Sequence, residues 1–359
     1  MHFRFLTSTP LDVVRGSGTF AGIGTLANSL KASGHTVDLV TPTIRFPVYT
    51  IERILFNEML RLRPLNNGVT VGFDMDGYAV AGKGPGLHVA SIKGVIADEM
   101  RFEAGLTRAT MRLQARCERV HVESADLVIA PSRYSARRIQ DLYGVASEPR
   151  VVPEPIDLAQ WRTLLERNPA KPATGKFIVL TVCRFYPRKR LHILLAAAGR
   201  LRSRIPGLEV RIVGDGPERN RLQSLCRKHG LEGTVVWLGN ATQAELAREY
   251  NLCHVFCLPS VQESFGIVFL EAMASGKPTV AARAASAPEV VEHGILVQPD
   301  DEEALADGIE SLYLNPTLRA TIASEASSWV KQFDAPLVTA AFLRAIEQAS
   351  GVTAAVRSA

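Results

Sequence analysis

Short apolar runs, each about one strand long, recur along this chain and alternate with turn residues and helix-length amphipathic stretches. Parallel sheets covered by helices are written this way in sequence. In the first half, Phe3 to Ser8, Thr36 to Thr41, Gly68 to Phe73, Leu87 to Ile92 and Leu127 to Ala130 read as strands. A glycine-bearing loop is expected over residues 16–24, with a helix from Thr25 to Ser33. Ser132 is placed to cap a helix over Arg133 to Tyr143. The expected first domain is doubly wound.

From Asn168 to Lys176 the chain reads Asn-Pro-Ala-Lys-Pro-Ala-Thr-Gly-Lys, a stretch too polar and proline-rich to pack a core and typical of a linker. A second alternating series follows. Its strands are expected at Phe177 to Cys183, Glu209 to Val213, Val235 to Leu238, Val255 to Leu258, Thr279 to Ala281 and Ile295 to Val297. Helices are expected at Leu191 to Arg204, Glu218 to His229, Gln243 to Tyr250 and Phe265 to Ser275. The domains are therefore expected at 1–170 and 171–334. Residues 335–359 form a helix and tail in which Leu337, Phe342 and Ile346 recur at helical spacing, with either domain as the docking partner.

Composition narrows the classes. A chain of 359 residues, 47% hydrophobic and 21% charged, can bury two cores without disulfides. The five cysteines, at 117, 183, 226, 253 and 257, include no close CxxC pair and read as reduced, buried thiols of a cytoplasmic protein. No apolar run reaches the length of a signal peptide or of a membrane span, so any membrane contact is expected at the surface. A net charge of +5 suits an anionic ligand or surface, but the basic residues are not gathered in one run and no nucleic-acid motif accompanies them.

Two groups of charged residues stand where chemistry is expected. Glu263 and Glu271 bracket Ser264-Phe265-Gly266-Ile267-Val268-Phe269-Leu270, so the first carboxylate precedes a helix and the second lies nearly two turns inside it. They can touch different parts of one elongated ligand, and the helix start between them attracts phosphate. Arg184 and Lys189 follow the first strand of the second domain, where doubly wound sheets bind ligands and two cations neutralise a diphosphate. The plain alternative is a solvated basic loop.

Taken in order, Cys183-Arg184-Phe185-Tyr186-Pro187-Arg188-Lys189, Val213-Gly214-Asp215-Gly216-Pro217, Leu238-Gly239, Pro259-Ser260-Val261-Gln262-Glu263-Ser264-Phe265-Gly266, Glu271 to Pro278 and Ala287-Pro288-Glu289-Val290-Val291 resemble the family 4 retaining glycosyltransferases, also called glycosyl transferases group 1. The resemblance implies the GT-B fold, in which two doubly wound Rossmann-like α/β domains face a central cleft. It implies that Arg184 and Lys189 hold a donor diphosphate, Glu271 the ribose hydroxyls and Glu263 the hydroxyls of the transferred sugar. Backbone at Gly266 and Ile267 lines sugar and phosphate, and backbone near Gly239 and Asn240 lines the base. Gly22-Ile23-Gly24-Thr25 resembles the family's glycine loop before its first helix, where donor phosphate or acceptor comes close to the backbone; a simple turn is the bland reading. Where many members place a histidine, this chain has Lys93, a candidate contact for an acidic acceptor or donor phosphate. Ala284-Ala285-Ser286 replaces the family's paired glycines before Pro288.

The implied activity is retaining transfer of a hexose from a nucleotide-diphosphate sugar, UDP favoured, to a sugar, lipid-linked or small-molecule acceptor. Arg184 and Lys189 stabilise the leaving charge, Glu263 joins them as a catalytic candidate, and neither a cofactor nor a metal is called for. Asp74-Met75-Asp76 reads as a strand end. The competing readings are a nucleotide-sugar epimerase of the same fold and a non-catalytic nucleotide-sugar scaffold; a nicotinamide dehydrogenase fits poorly, because residues 16–22 do not form the tight GxGxxG fingerprint. Finally, Ile51, Ile54 or Leu55, Met59 and Leu62 lie on one helical stripe beside arginines. Such a stripe is ordinarily core; the alternative is a helix resting on an anionic membrane.

Overall fold

The computed structural model describes residues 1–9, 18–43, 46–64 and 67–357. They divide into two compact units: one holds the elements up to Pro155 and the C-terminal helix from Ala335, and the other is Ile156–Asp334.

The first unit runs β1 (His2–Leu6), α1 (Gly18–Ala32), β2 (Thr36–Val40), α2 (Tyr49–Leu60), β3 (Val69–Phe73), β4 (His88–Ser91), α3 (Ile96–Glu99), α4 (Gly105–Ser124), β5 (Leu127–Ala130), α5 (Arg133–Tyr143) and β6 (Arg150–Val151). Among the described residues its strands form one parallel sheet in the order β2-β1-β3-β4-β5-β6. The order reverses between β1 and β3, the doubly wound arrangement. Ser132 caps α5 as expected, its side chain accepting from the Ser135 N–H.

One expectation is corrected here. Gly22 and Gly24 do not form a loop; they lie inside α1, whose Ile23, Leu26 and Leu30 recur at helical spacing and are buried in the core beside Phe3 and Phe5. A Cβ on Gly24 would meet nothing within 4 Å, so glycine is not required by space at that position. Residues 16 and 17 of the expected loop lie outside the described residues.

The second unit opens with α6 (Leu158–Arg167) and continues β7 (Phe177–Val182), α7 (Leu191–Leu201), β8 (Leu208–Val213), α8 (Arg219–Lys228), β9 (Val235–Gly239), α9 (Gln243–Leu252), β10 (Val255–Leu258), α10 (Ile267–Ala274), β11 (Thr279–Ala282), α11 (Ala287–Val290), β12 (Ile295–Val297), α12 (Glu302–Leu314) and α13 (Pro316–Trp329). Its parallel sheet has the order β12-β11-β10-β7-β8-β9. The reversal falls between β7 and β10. Both faces are covered: Leu194, Leu201, Leu305 and Ile309 pack on one side, Phe256, Phe269, Met273 and Val330 on the other.

α6 precedes the expected linker yet belongs to this second unit. The Trp161 ring meets Tyr250 edge-on at 5.6 Å and donates its indole N–H to Ser275 Oγ at 2.9 Å. Asn251 donates to the carbonyls of Leu165 and Asn168, both at 2.9 Å. Residues 168–176 therefore connect two elements of one unit; a polar, proline-rich stretch marks an exposed connection, which need not separate two cores.

The last helix, α14 (Ala335–Arg357), returns to the first unit. Val338, Phe342 and Ile346 join the cluster of Phe3, Phe5 and Leu30, with the Phe3 and Phe342 rings 6.2 Å apart. Thr339 Oγ1 and Ser29 Oγ are 2.8 Å apart. Leu337, expected on the packed face, is exposed.

Candidate functional site

The carboxyl end of β7, beside the reversal in strand order, delivers the chain into Cys183-Arg184-Phe185-Tyr186-Pro187-Arg188-Lys189-Arg190. Phe185 anchors this loop. Its ring is buried and meets Trp237 edge-on at 5.8 Å; its N–H donates to Asp215 O at 3.0 Å, and its carbonyl accepts from the Glu218 N–H at 3.1 Å. Gly214 and Gly216 make that clasp possible. A Cβ on Gly214, whose φ is 123°, would lie 1.9 Å from Cys183 O, and one on Gly216 would lie 2.6 Å from Phe185 N. The glycines after β8 thus let two backbones touch and fix the segment from which Arg184 projects. The Arg184 guanidinium has no hydrogen bond or ion pair among the described residues and is half-buried.

Lys189 closes a short helical turn after the anchor and forms an ion pair with Glu263. Each of these side chains is only 11% exposed. Glu263 comes from the loop after β10, the other strand at the reversal. That loop is tied down by Val261 N–H donating to Arg188 O at 3.0 Å and by Ser286 Oγ donating to Phe265 O at 3.1 Å. Phe265 is buried edge-on against Phe333 at 5.6 Å. Next to Glu263, Gln262 is buried with neither end of its amide hydrogen-bonded among the described residues, a desolvation cost the fold alone does not recover.

α10 starts at Gly266, whose φ of 91° favours glycine and which no side chain caps. Ile267 opens the helix, and Glu271 follows one turn in. Tyr250, from α9, donates its hydroxyl toward Glu271 Oε2 and lies equally close, 3.1 Å, to Val268 O. Burial pushes the Glu271 carboxyl up to about 7, while the Tyr250 hydrogen bond pulls it down. Tyr250 was not singled out from sequence: its distance along the chain from Glu271 carries no periodic signal. At the end of β9, Gly239 adopts φ 68° and accepts from the Gly214 N–H, while Asn240 beyond it is exposed.

The second unit therefore gathers Arg184, Lys189, Glu263, Gly266, Ile267 and Glu271 on the elements that leave β7 and β10. Gly22, Gly24 and Lys93 belong to the first unit. There, Lys93 follows β4 and pairs with Glu154 at 2.8 Å, the two side chains 8% and 5% exposed. The second oxygen of Glu154 has no partner among the described residues. Asp74, in a left-handed conformation with φ 54°, accepts from the N–H groups of Lys93 and Gly94 at 2.7 and 3.1 Å. Burial raises its carboxyl to about 6, against the pull of Arg53 and those two N–H groups. Glu154, distant in sequence, is a second residue that local patterns did not mark.

Asp76 is fully buried and accepts from Ser8 N, Ser8 Oγ and Asn57 Nδ2 at 2.6, 2.7 and 3.0 Å. Arg53 completes this network at 3.4 Å and also reaches Ser8 Oγ and Gln114 Oε1. The expectation that the stripe Ile51, Leu55, Met59 and Leu62 is core is corrected: all four are exposed, Ile54 is tucked in beside the cluster of Met75, and the polar Arg53 and Asn57 face inward. The internal partner is the Asp76 carboxylate, which holds them there.

Residues 164–329 match the family described as glycosyl transferases group 1. A GDP-mannose-dependent alpha-(1-6)-phosphatidylinositol monomannoside mannosyltransferase of Mycobacterium tuberculosis is 28% identical over 226 residues, 58% of either chain. A D-inositol 3-phosphate glycosyltransferase of Rhodococcus erythropolis is 33% identical over 227 residues, 59% of this chain and 51% of the relative. The chain thus spans between half and two thirds of the length of these two relatives. Among solved structures, a sucrose-phosphate synthase from Thermosynechococcus elongatus superposes with a TM-score of 0.81 at 21% identity, covering 98% of this chain and 100% of that one. Over residues 164–329, within the second unit, the chain carries the sequence pattern of the glycosyl transferases group 1 family, and its two parallel six-stranded α/β units have the GT-B fold.

Proposed function

We propose that this protein transfers a hexose, with retention of configuration, from a nucleotide-diphosphate sugar to an acceptor hydroxyl, and that the donor is held by the second unit. The observation that carries this reading is the convergence of Arg184, Lys189 and Glu263 at the β7/β10 reversal, where open α/β sheets bind ligands. Arg184 has no counter-charge among the described residues and is available to meet a phosphate. Lys189 is oriented by Glu263 and supplies the second cation. Glu271 accepts the ribose hydroxyls, and the backbone at Gly239 and Asn240 lines the base.

In the transfer, the bond from the anomeric carbon to the diphosphate oxygen breaks and a bond to the acceptor oxygen forms on the same face. The acceptor proton passes to the departing diphosphate. Positive charge grows on the sugar ring and negative charge on the phosphate, and Arg184 and Lys189 stabilise the latter in place. Glu263 holds the sugar hydroxyls and the Lys189 ammonium together. Lys93, fixed by Glu154, is the first unit's candidate contact for an acidic acceptor or donor phosphate.

The test offers UDP-glucose, UDP-N-acetylglucosamine and GDP-mannose with phosphatidylinositol or inositol 3-phosphate as acceptor, and analyses products by mass and by anomeric NMR coupling. UDP-sugars are our reading; GDP-mannose is the competing arm, because a relative bears that donor in its name. The phosphoinositol acceptors follow the names of both relatives. A new glycoside with the donor's anomeric configuration supports transfer. An epimerised donor formed without acceptor supports an epimerase, and donor binding without turnover supports a scaffold.

A further inference from the structure

The first unit carries a surface that its own packing does not use. On α2 and its two flanks, Val48, Ile51, Leu55, Met59 and Leu62 recur at steps of three and four residues and are all exposed, Leu62 at 86%. The opposite face of the same helix, with Arg53, Phe56, Asn57 and Leu60, is the buried one. A contiguous apolar row on the outside of a helix has no role in folding and costs solubility.

α4 lies against α2 and continues the surface. Gln114 joins them, accepting from Arg53 Nη1 at 3.1 Å and donating to Thr50 Oγ1 at 2.7 Å. Beside it Leu106, Leu113 and Val120, spaced by seven residues and so on one side of the helix, are exposed, Leu106 at 81%. Arg108, Arg112 and Arg116, spaced by four, line the adjoining exposed side and form no ion pair among the described residues. The acids flanking these rows are already engaged: Glu58 pairs with Arg61 at 3.1 Å and Glu123 with Arg119 at 2.7 Å. The face is therefore apolar and cationic together.

We propose that this α2–α4 face docks on the surface of an anionic lipid bilayer. Apolar side chains enter the boundary between headgroups and acyl chains, and the unpaired arginines meet lipid phosphates. A second copy of the chain is a poorer occupant, because a two-fold contact sets the same arginines against each other. No helix among the described residues is long and apolar enough to cross a membrane, so the contact is peripheral. The inference stands independently of the reaction catalysed.

The test is sedimentation of the full chain with vesicles of phosphatidylglycerol, or of phosphatidylcholine alone, at low salt. Binding to phosphatidylglycerol vesicles is expected to exceed binding to phosphatidylcholine by about tenfold or more and to weaken as salt rises. The triple variant Arg108→Glu, Arg112→Glu, Arg116→Glu is expected to abolish that preference. The double variant Leu55→Ser, Leu62→Ser is expected to lower binding about tenfold on both vesicle types. All five side chains are exposed, so folding is not at stake, and each variant tests the proposal by itself. Failure of the native chain to sediment with phosphatidylglycerol, or undiminished binding in either variant, overturns the proposal. So does concentration-dependent self-association that Leu55→Ser, Leu62→Ser removes while vesicles remain unbound.

Discussion

If Glu271 accepts the ribose hydroxyls as proposed, donor binding by the native protein is expected to depend on pH, and replacing Glu271 with Gln is expected to remove that dependence. Burial raises the Glu271 carboxyl to about 7, so the empty site is half-protonated near neutrality. Ribose hydroxyls donate most strongly to the ionised form, and binding therefore favours loss of the proton. The sign follows directly: affinity rises as pH rises through about 7 and levels off above it. From about pH 8 to about pH 6 the ionised fraction falls from roughly nine-tenths to one-tenth, a loss of about tenfold in affinity or ~1.4 kcal/mol. Calorimetric titration with an intact nucleotide sugar and no acceptor reads this cleanly, because the donor's diphosphate stays ionised over the range. Buffers of different ionisation enthalpy count the proton released. Glu271→Gln should bind more weakly at high pH and show no such slope. Tyr250→Phe removes the hydroxyl that favours the ionised form and should move the midpoint upward. A flat native profile, or a Gln variant with the native slope, refutes the assignment of Glu271 to the ribose.

Arg184→Ala and Lys189→Ala are each expected to lower kcat by about 10²-fold or more, the cost of losing one stabiliser of leaving-group charge, and steady-state kinetics with retained native activity would remove the diphosphate role. Glu154→Gln leaves the Lys93 ammonium buried without a counter-charge and should cost about 3–5 kcal/mol in urea unfolding, whereas a change under 1 kcal/mol would show the pair to be inessential. His88 and His121 meet through their Nε2 atoms at 2.9 Å, and burial lowers both, His121 to about 4. Their folded values lie below the unfolded one, so this stability is present above about pH 6.5 and is lost as pH falls toward 4, by roughly 3 kcal/mol for His121. His88→Phe with His121→Phe should flatten that acid limb of the unfolding midpoint, and an unchanged acid limb would place its origin elsewhere.

What was legible in sequence was local. A parallel strand buried on both faces must be a short apolar run, and β5, β10 and β12 fall where those runs fall. The Ser132 cap is a contact across three residues, and it too is readable. The glycines of Val213-Gly214-Asp215-Gly216-Pro217 are visible as a motif, but their reason is a backbone 1.9 Å from a missing Cβ, supplied by a loop far away in the chain. Glycine identity argued for a loop at Gly22 and Gly24, and the burial of Ile23, Leu26 and Leu30 decided instead for α1.

The partners of the site residues were settled only by tertiary structure. Tyr250 reaches Glu271 because α9 and α10 pack side by side, and Glu154 reaches Lys93 because the chain passes the ends of β4 and β5 on leaving β6. α2 makes the same point about faces. Periodicity states which residues share a side of a helix, and it placed Ile51, Leu55, Met59 and Leu62 together. Which side turns inward depends on what waits there, and the buried Asp76 carboxylate turned Arg53 and Asn57 toward the sheet and the apolar row toward solvent.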